Sequence, residues 1–164
     1  MCINNMKIEL TPIGIIHTPF KTVEKMPIQP SAALEVPGTI EIFPEYSEGL
    51  ADLEGFSHIY VLFYLHRVRA HKLKVIPFLD TVERGIFSTR SPARPNPMGL
   101  SVAKVISVEK NMIEIRGVDM LDSSPVIDIK PFVPEFEERS DVRTGWFEGK
   151  AGNAHRTLSD ERFK

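Results

Sequence analysis

The chain has 164 residues, of which 42% are hydrophobic and 26% charged, a composition typical of one globular domain. Its formal net charge of -2 at pH 7 excludes the strongly basic class of nucleic-acid-binding domains, so any contact with RNA must depend on a local patch. The longest apolar run, residues 59–65, is far shorter than the roughly 18 residues of a membrane-spanning helix, so no membrane role is expected.

The N-terminus and the cysteine content indicate the cellular compartment. The first ten residues, MCINNMKIEL, contain no basic segment followed by an apolar stretch, so no secretion signal is expected. The single cysteine, Cys2, cannot form an internal disulfide, which agrees with a reducing environment. We therefore expect a cytoplasmic protein.

Short strands recur along the chain with little helix between them. Runs rich in β-branched and aromatic residues predict strands at 8–16, 39–43, 57–65, 85–88, 100–108, 112–118 and 126–129. Around the turn 109–111, Ile113 and Ile115 alternate with Glu114 and Arg116, as in a half-buried hairpin. Helical spacing is brief, over 44–55, and is followed by a predicted helical turn around 72–79.

This pattern predicts a mainly β fold, a small antiparallel or mixed β-barrel with one or two short helices. Residues 1–150 are expected to form the barrel domain, and 151–164 a polar, flexible tail.

The most distinctive segment is the loop 89–101, TRSPARPNPMGLS. Its three prolines stiffen the backbone and remove N–H donors, so carbonyls are expected to be free for an outside partner. Gly99 would allow either a positive φ or close approach of a ligand, and Arg90 and Arg94 could hold a carboxylate, a phosphate or a stacked base. Asn96, flanked by prolines, could read a donor–acceptor pair. The alternative is a loop that only prevents edge pairing.

A second polar segment, DMLDSSPVIDIKP, follows the hairpin. Its first part, 119–125, is typical of a turn in which Asp and Ser side chains bond their own backbone. Asp128 and Lys130 are two apart on a strand and share a face, while Ile127 and Ile129 are expected to face the core. The two charged residues form either an exposed ion pair or the wall of a pocket.

The basic and titratable residues leave two options open. Segment 66–74, HRVRAHKLK, contains no acid and is either a solvated loop or a contact for an RNA backbone. The five histidines have no metal-site spacing, so no metal is expected, and His66 ends the apolar strand where it can face a cleft. Motifs of Ser hydrolases, kinases and Rossmann enzymes do not occur.

Five motifs together resemble one known family. They are Ile13-Gly14 with Pro19-Phe20, PIQP at 27–30, GFSH at 55–58, RSPARPNPMGLS at 90–101 and DMLDSSPVIDIKP at 119–131. In these the chain is similar to the TsaA/TrmO family of β-barrel tRNA adenosine N6-methyltransferases, over residues 13–145.

The resemblance implies a homodimer that binds S-adenosyl-L-methionine and methylates N6 of a threonylcarbamoyl-modified adenosine next to the anticodon of tRNA. The cofactor contacts it implies are Pro27, Ile28, Gln29, His66, Arg67, Arg90, Leu100, Leu121, Asp122, Ser123 and Ser124. Leu100 and Ile28 would pack against the adenine, and the backbone of 121–124 would read its edge. Because the exocyclic amine is a weak nucleophile, a proton acceptor should help; we nominate Asp128, with Lys130 and Asn96 orienting the substrate.

Two departures from the family pattern keep an alternative open. Ser123 stands where the family commonly has glycine, and Phe132 where many members have tyrosine. No extra C-terminal segment like that of bacterial members is expected after Phe147. The alternative is a noncatalytic RNA- or nucleotide-binding barrel; a metal-dependent hydrolase is a third hypothesis.

Overall fold

A computed structural model describes residues 7–24, 26 and 33–149. The strands in chain order are β1 Gly14–His17, β2 Pro37–Ile42, β3 His58–Tyr64, β4 Lys74–Val75, β5 Arg84–Gly85, β6 Met98–Glu109, β7 Met112–Arg116 and β8 Ser124–Pro131. One α-helix, α1, spans Pro134–Glu137, and short 3₁₀ turns lie at Pro44–Leu50, Leu53–Gly55, Ile86–Ser88 and Gly145–Phe147.

Six strands close into an antiparallel barrel in the order β1-β2-β7-β6-β3-β8, which confirms the predicted fold class. Closure leaves none of these strands with an unpaired edge. The strand predicted at 8–16 begins only at Gly14. Of the strand predicted at 85–88, only residue 85 belongs to β5, and residues 86–88 form a 3₁₀ turn. The pair β4–β5 forms a separate ribbon outside the barrel. The helical turn predicted around 72–79 is wrong, because this segment contributes the strand β4, and α1 was not predicted.

The barrel interior is filled mainly by branched aliphatic side chains. Ile113 and Ile115 are buried while Glu114 and Arg116 are exposed, which confirms the predicted alternation of β7. In β8 the pairing with β3 shifts at a bulge, where Ile127 has no partner residue. Ile129 packs against the core but Ile127 is only partly buried and lies outside it, so the prediction that both isoleucines face the core is wrong for Ile127.

The antiparallel order brings distant parts of the sequence to one end of the barrel. Pairings such as His17 with Thr39 and Tyr64 with Met98 place the C-terminal ends of β1, β3 and β7 beside the N-terminal ends of β2, β6 and β8. We call this the site end, because the segments that follow or precede these strand ends carry most of the predicted cofactor residues.

Candidate functional site

Asp122 is the best-held polar residue at the site end. Its carboxylate accepts a hydrogen bond from the backbone N–H of Thr18 (3.0 Å) and lies 2.8 Å from the ammonium of Lys21. The Lys21 contact, supported by the N–H of Thr18 and the hydroxyl of Ser123, lowers the pKa of Asp122 to about 2. Asp122 is therefore a charged, fixed carboxylate at neutral pH.

The backbone N–H groups beside Asp122 are bonded within the chain. Asp122 donates to the carbonyl of Phe20 and Ser123 to that of Ile16, both at 2.8 Å, and Ser124 donates to the carbonyl three residues before it at 3.3 Å. These contacts fix the segment 121–124 against the end of β1. The N–H groups of Asp122, Ser123 and Ser124 are therefore occupied within the chain, and the reading of an adenine edge by the backbone of this segment stays a prediction.

Ser123 has a left-handed backbone, with φ of 62°. A Cβ makes this region unfavourable by about 1 kcal/mol, whereas glycine adopts it freely. The glycine that the family commonly has at this position would fit the observed conformation without strain. The loop has thus kept its left-handed turn despite the serine.

His66 and Ser124 meet at the site end although they are far apart in sequence. The hydroxyl of the buried Ser124 lies 3.3 Å from Nδ1 of His66. Desolvation and the neighbouring Arg67 lower the pKa of His66, and Asp122 opposes the effect. The imidazole is therefore neutral at pH 7. The structure thus brings together His66, Asp122 and Ser124 of the predicted cofactor set. The side chain of Arg67, another member of this set, is exposed.

Asp119 is a buried carboxyl that the sequence analysis treated only as part of a turn. The hydroxyl of Ser101 donates to its Oδ1 at 2.6 Å, because the chain after β7 continues alongside the start of β6. Burial raises the pKa of Asp119 to about 6, against the opposing effects of Ser101 and Arg90. Arg90, a predicted cofactor residue, therefore lies near enough to stabilise the charge on Asp119.

The loop 89–101 is stiffened as predicted, but most of its bonding groups are used within the chain. Four of its carbonyls accept backbone hydrogen bonds of 2.7 to 3.0 Å. The donor–acceptor pairs are Arg94 to Pro92, Lys72 to Ala93, Met98 to Asn96 and Leu65 to Pro97. The prediction of free carbonyls is therefore wrong at these positions, since turns inside the loop and the neighbouring segment 65–72 occupy them.

Arg94 and Gly99 both have contacts within the chain. Nη1 of Arg94 donates to the carbonyls of Ile86 (3.2 Å) and Thr89 (2.8 Å), so this part of the guanidinium fastens the loop, and its role in holding an anion stays a prediction. Gly99 faces Phe63 across the sheet, and a Cβ at Gly99 would lie 2.2 Å from the phenyl ring. The close approach that glycine allows here is that of a core side chain.

The nominated catalytic residues lie on the outer wall of the barrel and in the adjoining loop. Asp128 is paired with Leu62, which is paired on its other side with Leu100, so these three side chains share the outer face. Lys130 forms an ion pair with Asp128 at 2.7 Å, and both side chains are partly exposed. Asn96 lies in the loop before β6. This contact agrees with the first of the two interpretations of Asp128 and Lys130, an exposed ion pair. Their catalytic role stays a prediction.

Leu100 is 54% exposed on this outer face, which leaves its side chain available for a ligand or a partner. Nearby, the ring of Phe132 packs 5.4 Å from that of Tyr60, so a phenol lies beside the position where many family members have tyrosine. Desolvation and a hydrogen bond with Glu137 raise the pKa of Tyr60, while Arg90 lowers it. Tyr60 is thus protonated at neutral pH and is unsuited to accept a proton.

An open groove of about 600 Å³ lies next to Asp122. Its walls are mostly apolar and consist of Pro19, Phe20, Ala33, Leu34, Glu35, Val36 and Pro37. The hydrogen bond from the N–H of Asp122 to the carbonyl of Phe20 joins the groove to the fixed carboxylate. The predicted contacts Pro27, Ile28 and Gln29 lie outside the described residues, as do Cys2 and the predicted tail 151–164.

Neither a metal-binding cluster nor a membrane-spanning helix occurs in the described residues. No three His, Cys, Asp or Glu side chains in this part of the chain are grouped so as to hold a metal ion. No helix in the same residues has the length and apolar character needed to cross a bilayer.

A closed barrel with a fixed carboxylate and an apolar groove at one end defines a class of small ligand-binding β-barrels. A family profile described as the tRNA-methyltransferase O N-terminal domain matches residues 15–138. The chain belongs to this family, as its motifs predicted.

Relatives and solved structures agree with this assignment. The chain is 49% identical to a probable S-adenosyl-L-methionine-binding protein of Pyrococcus abyssi, over 93% of the chain and 83% of that protein. It is 40% identical to the human tRNA (adenine(37)-N6)-methyltransferase, over 80% of the chain and 31% of that protein. The crystal structure of TrmO from Pseudomonas aeruginosa matches with a TM-score of 0.73 and 35% identity, over 85% of this chain and 62% of the other. The chain therefore spans less than two thirds of the solved relative.

Proposed function

We propose that the protein is an S-adenosyl-L-methionine-dependent methyltransferase that acts on N6 of an adenosine next to the anticodon of tRNA. The observation that carries the proposal is the fixed carboxylate of Asp122 at the site end, where the backbone N–H of the same residue bonds to Phe20, which lines the apolar groove. The human and mouse relatives are named tRNA (adenine(37)-N6)-methyltransferases, and the archaeal relatives are named for binding the cofactor.

The residues at the site end fit this cofactor. The apolar walls around Phe20 suit an adenine ring, and a groove of about 600 Å³ lies within the usual range for such ligands. Asp122 can accept hydrogen bonds from a hydroxyl or an ammonium group. Arg90 has a guanidinium of the kind that holds a carboxylate such as that of the cofactor.

When bound, the cofactor supplies an electrophilic methyl group. The protein must then hold the two reactants in line and accept one proton from the adenosine amine. Asp128 is the nominated acceptor; its Oδ1 accepts the N–H of Ile129 at 2.9 Å and its Oδ2 pairs with Lys130. His66 is the second candidate, because its lowered pKa keeps an unprotonated nitrogen at neutral pH.

The proposal extends to the form of the substrate and to the assembly. The acceptor adenosine carries a threonylcarbamoyl group, and the protein works as a homodimer in the cytoplasm. Light scattering on the purified protein would test the dimer, since a single mass of one chain would contradict it.

A transfer assay tests the activity. The purified protein is incubated with methyl-labelled S-adenosylmethionine and tRNA, with and without the threonylcarbamoyl group, and the digested nucleosides are analysed by mass spectrometry. We expect label on N6 of the modified adenosine. Cofactor binding by calorimetry without label in either tRNA would favour the noncatalytic binding barrel.

A further inference from the structure

Two phenylalanines are unusually exposed and lie in opposite electrostatic surroundings. Phe87, in the 3₁₀ turn Ile86–Ser88, is 76% exposed, and Phe136, in α1, is 72% exposed. Neither contributes to the barrel core. Phe136 is surrounded in sequence by glutamates, whereas the chain around Phe87 is basic.

The guanidinium of Arg94 lies over the ring of Phe87. The guanidinium carbon of Arg94 lies 5.8 Å from the ring centroid, and its two hydrogen bonds to backbone carbonyls fix its position. The turn itself is fastened by Trp146, whose indole N–H donates to the carbonyl of Ser88 at 2.8 Å. An aromatic ring ordered by a cation on one side and open to solvent elsewhere is suited to stacking.

Backbone contacts place the basic segment 67–74 beside this ring. Lys72 donates to the carbonyl of Ala93, next to Arg94, and Ile86 donates to the carbonyl of Leu73. The segment carries four exposed cations and no acid: Arg67, Arg69, Lys72 and Lys74. Of the nearby acids, Asp80 pairs with Arg84 at 2.9 Å and Glu83 lies 3.9 Å from Lys74. The surface therefore keeps a net positive charge.

We propose that Phe87 and the segment 67–74 form a docking surface for single-stranded RNA, in which the ring stacks on an unpaired base and the cations bind phosphates. The inference rests on the proposed function and adds the place where the tRNA loop is held. Combined aromatic and cationic contacts are the usual means of binding single strands, because every base offers a stacking face.

The matched pair Phe87→Ala and Phe136→Ala tests this surface. We expect Phe87→Ala to weaken tRNA binding roughly 5- to 150-fold, the loss of one stacked base, while Phe87→Trp retains wild-type affinity. Phe136→Ala should change affinity by less than about twofold.

In a salt titration, Lys72→Ala should reduce the slope of log affinity against log salt by about 0.7, whereas Phe87→Ala leaves it unchanged.

Controls separate this inference from its alternatives. Both alanine variants remove exposed rings, so melting temperature and cofactor affinity should stay at wild-type values. If the two variants bind tRNA equally well while the wild-type protein methylates tRNA, the docking surface is wrong and the proposed function stands. A change of oligomeric mass in Phe87→Ala would overturn it in favour of a contact between copies. A wild-type protein that neither binds nor methylates tRNA would overturn the proposed function as well.

Discussion

Replacing Asp119 by Asn should make stability depend less on pH. The asparagine keeps an oxygen that can accept the hydroxyl of Ser101, so the change removes mainly the titration of a buried carboxyl. Because burial raises the pKa of Asp119 from 3.8 to about 6, the folded state binds its proton more tightly than the unfolded state does.

The size and direction of the effect follow from this shift. The stabilising contribution of protonated Asp119 is complete below about pH 4 and is lost as the pH rises through about 6. A difference of roughly two pKa units corresponds to about 3 kcal/mol of folding free energy. Wild type and Asp119→Asn should therefore be equally stable near pH 4, and the variant should be more stable by up to about 3 kcal/mol near pH 8.

Urea denaturation of both proteins at a series of pH values measures this difference. The titration of His66 occurs in the same range, but it is common to both proteins and cancels in the comparison. A stability difference that is constant with pH, or that favours wild type at high pH, would show that the carboxyl is not destabilised by burial.

Three further predictions concern the site and the barrel packing beside it. Ser123→Gly should raise the free energy of unfolding by up to about 1 kcal/mol in urea denaturation, and a decrease would contradict the strain assigned to the left-handed serine. Gly99→Ala should lower it by about 1–3 kcal/mol, because its methyl group would overlap the ring of Phe63, and an added Phe63→Leu should restore part of the loss. Asp128→Asn should lower the rate of methyl transfer about 100-fold with cofactor affinity unchanged, and a similar loss in His66→Asn but not in Asp128→Asn would move the proton acceptor to His66.

The barrel was predictable because strand patterns are local. Alternation along β7 and the apolar run of β3 each appear within a few residues of sequence, and together they favour a closed antiparallel sheet. The strand β4 and the helix α1 were missed because two and four residues carry no measurable period.

The site was only partly predictable because its contacts join distant segments. Asp119 lies in a run of Asp and Ser that is typical of a turn. Nothing in the sequence around it shows that folding buries its carboxyl against Ser101. Likewise, prolines predict a stiff loop, but not that Lys72 and Leu65 occupy its carbonyls. The family motifs named the residues of the site end; only the pairing of strands shows how they are held.

The unpaired residue in β8 has a consequence for how this family can vary. In a strand of the same length without the bulge, Asp128 and Lys130 would keep the phase of Val126 and point among the aliphatic side chains. Two charges placed there would cost several kcal/mol each, which is comparable with the whole stability of a small domain. Deletion of Ile127 should therefore be tolerated, because the pairs Phe63–Val126 and Leu62–Asp128 would then follow each other without a bulge, whereas deletion of the paired Ile129 would turn Lys130 inward and should abolish folding.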